Sequence, residues 1–234
     1  SVSMWQAIPK ILDDFETDEN IRVIVLKGAG RKAFISGADI SEFKESRASA
    51  DAVTRYDELV QDASNRLSNT AQPTISMIRG YCMGGGLAIA ISCDMRIATQ
   101  SSRFAIPAAK LGIGYRASSL QPLVSLVGPS FAKEILITAR QFDSDEAAAM
   151  GLINHAVSDD ELENYVADYC RCLAENAPLS MRAAKHLVEE ITRARADLDH
   201  EICERLVEEC FASEDYSEGR RAFLEIRKPA FYWR

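Results

Sequence analysis

The triplet Gly84-Gly85-Gly86 limits this chain's fold more than any other feature. It stands between Thr74-Ile75-Ser76-Met77-Ile78, which reads as a buried strand, and residues 87–92, which read as a helix of small side chains. Glycine between a strand and a helix lets the backbone approach a ligand closely and points N–H groups at negative charge. A second such loop, Phe34-Ile35-Ser36-Gly37-Ala38-Asp39-Ile40, follows a short strand at 33–35. Two N–H groups from different loops could converge on one oxygen as an oxyanion hole, where losing one donor costs about 10²–10³ in rate. Each loop alone is weak evidence, since a lone glycine triplet is more often a tight packing turn than a site. A phosphate-binding loop is disfavoured, because neither GxxxxGK[ST] nor GxGxxG after a strand is found.

Residues 21–26 form a further β-branched strand, and 95–98 and 104–106 two more. Helical spacing is predicted for residues 3–16, with Ser3 as the cap and Pro9 an awkward member, and for 51–70, which Pro73 stops. Strands alternating with helices indicate an α/β core. From about Asp159 the pattern is almost wholly helical, at 159–175, 178–195, 197–212 and 215–227. The expected division is therefore a core over 1–176 and a helical region over 177–234, whose amphipathic helices suit either ordinary packing or self-association.

The chain has 234 residues and a net charge of −8, which argues against nucleic acid or an anionic membrane as the main partner. No apolar run approaches the ~20 residues that a membrane helix needs. The six cysteines form no CxxC pair and the three histidines are scattered, so no metal site is expected. Reduced, buried cysteines and a cytoplasmic location are expected from the same spacing. His155, His186 and His200 fall in or near helical segments away from the loops and are assigned no catalytic role.

Taken together, the two loops are far more specific. Lys32-Ala33-Phe34-Ile35-Ser36-Gly37-Ala38-Asp39-Ile40 resembles one signature of the crotonase (enoyl-CoA hydratase/isomerase) family, and Gly80-Tyr81-Cys82-Met83-Gly84-Gly85-Gly86 with Cys93-Asp94 resembles another. The likeness continues through Phe104-Ala105-Ile106-Pro107, Ala147-Gly151-Leu152-Ile153 and Arg227-Lys228-Pro229. It implies an α/β fold, a spiral of ββα units with a helical C-terminal region that assembles trimers or hexamers. The family's N-terminal hairpin is missing, since the sequence opens inside the first helix. The resemblance further implies an acyl-CoA thioester substrate, with coenzyme A part of the substrate and no separate cofactor. The thioester carbonyl would sit between the backbone N–H groups of Ala38 and Gly85.

The resemblance also places the two glutamates of hydratases at Ala88 and Ala108. Alanine can neither take nor give a proton. Tyr115 is the candidate replacement donor, with a structural pocket tyrosine as its alternative. Arg116 is a candidate partner for a substrate carboxylate or a surface charge. Asp39 is expected to cap the turn starting at Ile40, and Asp94 to close the turn before Met95. Lys32, Phe34, Gly84, Arg227, Lys228 and Phe231 complete the substrate-binding set that the resemblance suggests. Three functions stay open: a lyase or isomerase acting through an enolate, a catalytically silent acyl-CoA-binding subunit, and a hydratase with a relocated base.

Overall fold

The computed structural model describes residues 1–42, 49–192 and 200–232. Among the described residues, eight strands form two four-stranded sheets. Strands β1 (Ile24–Lys27), β3 (Thr74–Ile78), β5 (Met95–Thr99) and β8 (His155–Val157) lie side by side in that order, all parallel. The second sheet runs β2 (Ala33–Ile35), β4 (Tyr81–Met83), β6 (Arg103–Ala105) and β7 (Phe142–Asp143), with only the last pair antiparallel. The chain thus lays one strand in each sheet and then turns into a helix, three times in succession. This is the expected spiral of ββα units.

The corner between β3 and β4 is made at Gly80, where φ is +68° and a Cβ would lie 2.1 Å from the Lys32 carbonyl oxygen. No side chain fits there, so the crossing between sheets depends on glycine. Strand β3 is buried along its whole length. Ile75 and Met77 join Ile97 in a cluster with Leu162 and Val166 of the helix Leu162–Ala174, while Ile78 joins the main core between the sheets. Burial on both faces takes in Thr74 and Ser76 as well, whose hydroxyls bond to Asp94 Oδ2 and to the Ala90 carbonyl oxygen.

Helix α1 (Val2–Glu16) is capped by Ser1, whose side chain accepts from the Met4 N–H, and not by Ser3 as expected. Pro9 is accommodated within it. Helix α2 (Ala50–Asn69) packs against α1, and α3 (Gly85–Ser92) runs through the middle of the main core. Helix α4 (Ala117–Thr138) follows a 3-10 turn at Pro107–Leu111 and kinks at Gly128, where φ is +73°. Then come α5 (Ser144–Ala149), α6 (Leu162–Ala174), α7 (Pro178–Thr192), α8 (His200–Ala212) and α9 (Glu214–Leu224). The expected end of one helix at 195 and start of the next at 197 lie outside the described residues.

Three further expectations are corrected. His155 lies on β8 rather than in or near a helix, with Nε2 3.1 Å from the Tyr169 hydroxyl. Cys172 is exposed and Cys170 and Cys210 are half-buried, so burial holds for Cys82 and Cys93 but not for these three. Residues 81–83, taken as part of a loop, form β4. No helix among the described residues is long and apolar enough to cross a membrane.

Candidate active site

Strands β2, β4 and β6 are parallel neighbours, so their C-terminal ends leave the sheet side by side. The segments that follow are Ser36-Gly37-Ala38, Gly84-Gly85 and Ile106-Pro107-Ala108. Ligands of parallel α/β sheets bind in crevices beyond such ends. Here the three segments line one cavity of about 390 Å³, within the range usual for small-molecule sites. Trp5 of α1 and the inner face of α2 close the opposite side.

The glycine triplet has a separate task at each position. Gly84 turns the chain at φ +54° and donates its N–H to the Ala105 carbonyl at 2.8 Å. Gly85 opens α3, and its N–H is among those a helix's first turn leaves without an internal acceptor. Gly86 sits so close to β2 that a Cβ would lie 2.5 Å from the Ile35 carbonyl oxygen and 2.7 Å from the Ile35 Cβ. This contact clamps the two signature loops together. No acidic residue occupies the first turn of α3, so its positive end is not offset locally. Among the described residues, no hydrogen-bond acceptor is recorded for the N–H of Ala38 or of Gly85. Both residues line the cavity.

Ala88, one turn into α3, and Ala108, in the 3-10 turn after β6, also line the cavity and present methyl groups there. Tyr115 is 37% exposed and is part of the same wall. Arg116 stands beside it at the start of α4, where its Nε donates to Asp57 Oδ2 at 2.9 Å. Asp57, Tyr56 and Gln61 were not singled out in the sequence. They lie three to eight residues from Val53 on α2, the spacing that brings them to one face, and all four line the cavity. A polar residue breaking the stripe Val53, Tyr56, Val60 was the available signal. Tyr56 accepts a hydrogen bond from Trp5 Nε1 at 3.2 Å, tying α1 to α2 over the cavity. Among the described lining residues, the ionisable side chains are Tyr56, Asp57, Tyr115 and Arg116.

The other carboxylates have structural partners. Asp39 Oδ1 accepts from the Ser41 N–H at 2.9 Å and the Ser41 hydroxyl at 2.7 Å, which holds its pKa below the ordinary value and fits the expected cap. Asp94 Oδ2 accepts from Thr74 N at 2.7 Å and pairs with Lys185 at 3.0 Å, so it pins the start of β3 across to α7.

Lys32, Phe34, Arg227, Lys228 and Phe231 do not line the cavity. Phe34 is buried in the main core, so its ring packs structure and does not meet substrate there. Lys32 accepts from Tyr81 N through its carbonyl. Arg227 pairs with Glu218 and Glu225, Lys228 with Glu175, and the Phe231 carbonyl accepts from Arg22.

In this two-sheet spiral, the ends of adjacent strands bring Ala38, Gly85 and Ala108 to one cavity. The family model described as enoyl-CoA hydratase/isomerase matches residues 2–234, and the chain belongs to that family. It is 34% identical to the short-chain-enoyl-CoA hydratase of Clostridium acetobutylicum, over 93% of this chain and 83% of that protein. It is 31% identical to the methylmalonyl-CoA decarboxylase of Escherichia coli, over 94% of this chain and 84% of that protein. The solved enoyl-CoA hydratase/carnithine racemase of Magnetospirillum magneticum superposes with a TM-score of 0.92 at 35% identity, over all of this chain and 87% of that one. A putative enoyl-CoA hydratase/isomerase family protein of Hyphomonas neptunium gives 0.94 at 33% identity, over all of this chain and 89% of that one.

Proposed function

We propose that this family member is an acyl-CoA lyase or isomerase working through a thioester enolate, and not an efficient hydratase. The observation that carries this is the lining of one cavity: Ala38 and Gly85, whose N–H groups have no acceptor among the described residues, lie on it together with Ala88 and Ala108. Hydration needs a base to deprotonate water and an acid to protonate the α-carbon. Enolate formation by loss of carbon dioxide needs neither at the start. The bond from the α-carbon to a substrate carboxylate breaks, its electron pair moves into the thioester, and the new negative charge settles on the carbonyl oxygen. Backbone donors already in place stabilise that charge without reorganising. The α-carbon then takes a proton, for which Tyr115 is the nearest-matched donor in the cavity wall.

Incubating the protein with a panel of acyl-CoA thioesters and identifying products by mass spectrometry tests this reading. Consumption of malonyl-type thioesters with loss of carbon dioxide, ahead of crotonyl-CoA hydration, is the expected result. Tight binding of thioesters with no turnover of any would instead favour a silent acyl-CoA-binding subunit.

A further inference from the structure

Arg116 is the one basic side chain among the described residues that line the cavity. Its side chain is 59% exposed and meets Asp57 through Nε alone, at 2.9 Å. Nη1 and Nη2 have no hydrogen-bond partner among the described residues. A guanidinium carries five N–H donors in a fixed fork, so this contact leaves its outer edge open to a planar anion. Elsewhere in the chain the same side chain readily takes two carboxylates. Arg79 holds Asp159 and Glu163, Arg140 holds Glu134 and Glu146, and Arg227 holds Glu218 and Glu225. Arg116 holds one carboxylate and lines the cavity. It also stands at the start of α4, whose first turn has no acidic residue and no side-chain cap, so the local field has the sign an anion prefers.

We infer that Arg116 is a specificity residue that selects thioesters whose acyl chain carries a second, retained carboxylate. The inference rests on the reading above that thioesters occupy this cavity. That the carboxylate is retained follows from the energetics of leaving. An anion gripped by a guanidinium is stabilised in the ground state, and turning it into neutral carbon dioxide would forfeit the contact and slow the step. Arg116 therefore suits an anchor at the far end of the acyl chain better than a departing group. The substrate class is an acyl-CoA thioester whose acyl chain ends in a carboxylate that stays in place, besides any carboxylate lost from the α-carbon.

Matched pairs of thioesters isolate the effect. Succinyl-CoA is compared with butanoyl-CoA, and glutaryl-CoA with pentanoyl-CoA, by titration calorimetry on the intact protein. The dicarboxylic member of at least one pair should bind roughly 5- to 10-fold tighter, a modest factor because the side chain is largely exposed. In Arg116→Gln that ratio should fall to one or below, and Arg116→Lys should recover part of it. Because the ratio is taken within one variant, a general weakening of CoA binding cancels. Equal affinities within both pairs in the unaltered protein, or a preference that survives Arg116→Gln, would overturn the inference while leaving the thioester reading intact. Failure of all four thioesters to bind would overturn both.

Discussion

In the proposed reading, Gly85 acts through an atom that every residue but proline has. Its backbone N–H is the group assigned to the oxyanion, and it stands at the first position of α3, where proline is geometrically tolerated. Gly85→Pro should therefore fold, though the ring must displace the Trp5 edge, from which a Cβ would lie 3.1 Å away. The variant should bind an enolate-mimicking thioester at least about tenfold more weakly, in line with the loss of one oxyanion donor. Unchanged affinity in a variant with native circular dichroism would contradict the assignment. The family resemblance of the two glycine loops made this assignment legible in the sequence as an expectation. Asp57 was not legible there, because a lone aspartate on an amphipathic helix reads as solvated until the fold brings Arg116 to it, 59 residues along the chain.

At the scale of elements, the β-branched runs at β1, β3 and β5 announced themselves, while β4 and β7 did not. Strand β4 has only three residues, flanked by glycines, and its pairing with β2 and β6 is set by distant sequence. Local propensity cannot report such a partner. The C-terminal segment shows the same limit. Arg227 and Lys228 were expected among the substrate contacts, yet Arg227 joins Arg221 in bracketing Glu218, and the Ala230 N–H also reaches Glu218 at 3.2 Å. Hydrogen bonds from Arg227 and Arg221 hold the Glu218 carboxyl well below its ordinary pKa. A depressed carboxylate pKa contributes to holding this segment above the unfolded value of about 4.3, and the contribution fades as pH falls below it. Amide exchange at Ala230 should therefore be protected at pH 7, with protection declining below about pH 4 once the intrinsic exchange rate is corrected for. Glu218→Gln should show the low-pH behaviour already at pH 7. Protection that ignores both changes would mean that the segment is held by other contacts.

For the whole molecule, the sequence itself read as strands alternating with helices, and the spiral of ββα units was what the family resemblance implied. What the sequence could not convey is which surfaces stay uncovered. Phe131 and Ile137 on α4, Val188 and Ile191 on α7, and Phe211 on α8 are exposed, with Ile137 at 72% and Ile191 at 73%. Apolar side chains exposed along several helices suit burial against further copies of the chain. Analytical ultracentrifugation at micromolar concentration should give a trimer or a multiple of it, and a single monomeric boundary would contradict this. The cavity gives the sharper test. One missing general acid or base lowers a rate by about 10²–10⁴, and here both positions that the family resemblance assigns to them are methyl groups. Steady-state hydration of crotonyl-CoA by the purified protein should therefore be undetectable or at least about 10² below hydratase-like efficiency. A kcat/KM near 10⁶ M⁻¹s⁻¹, ordinary on the general enzyme scale, would show that a base does act in this cavity and that the enolate-only reading is wrong.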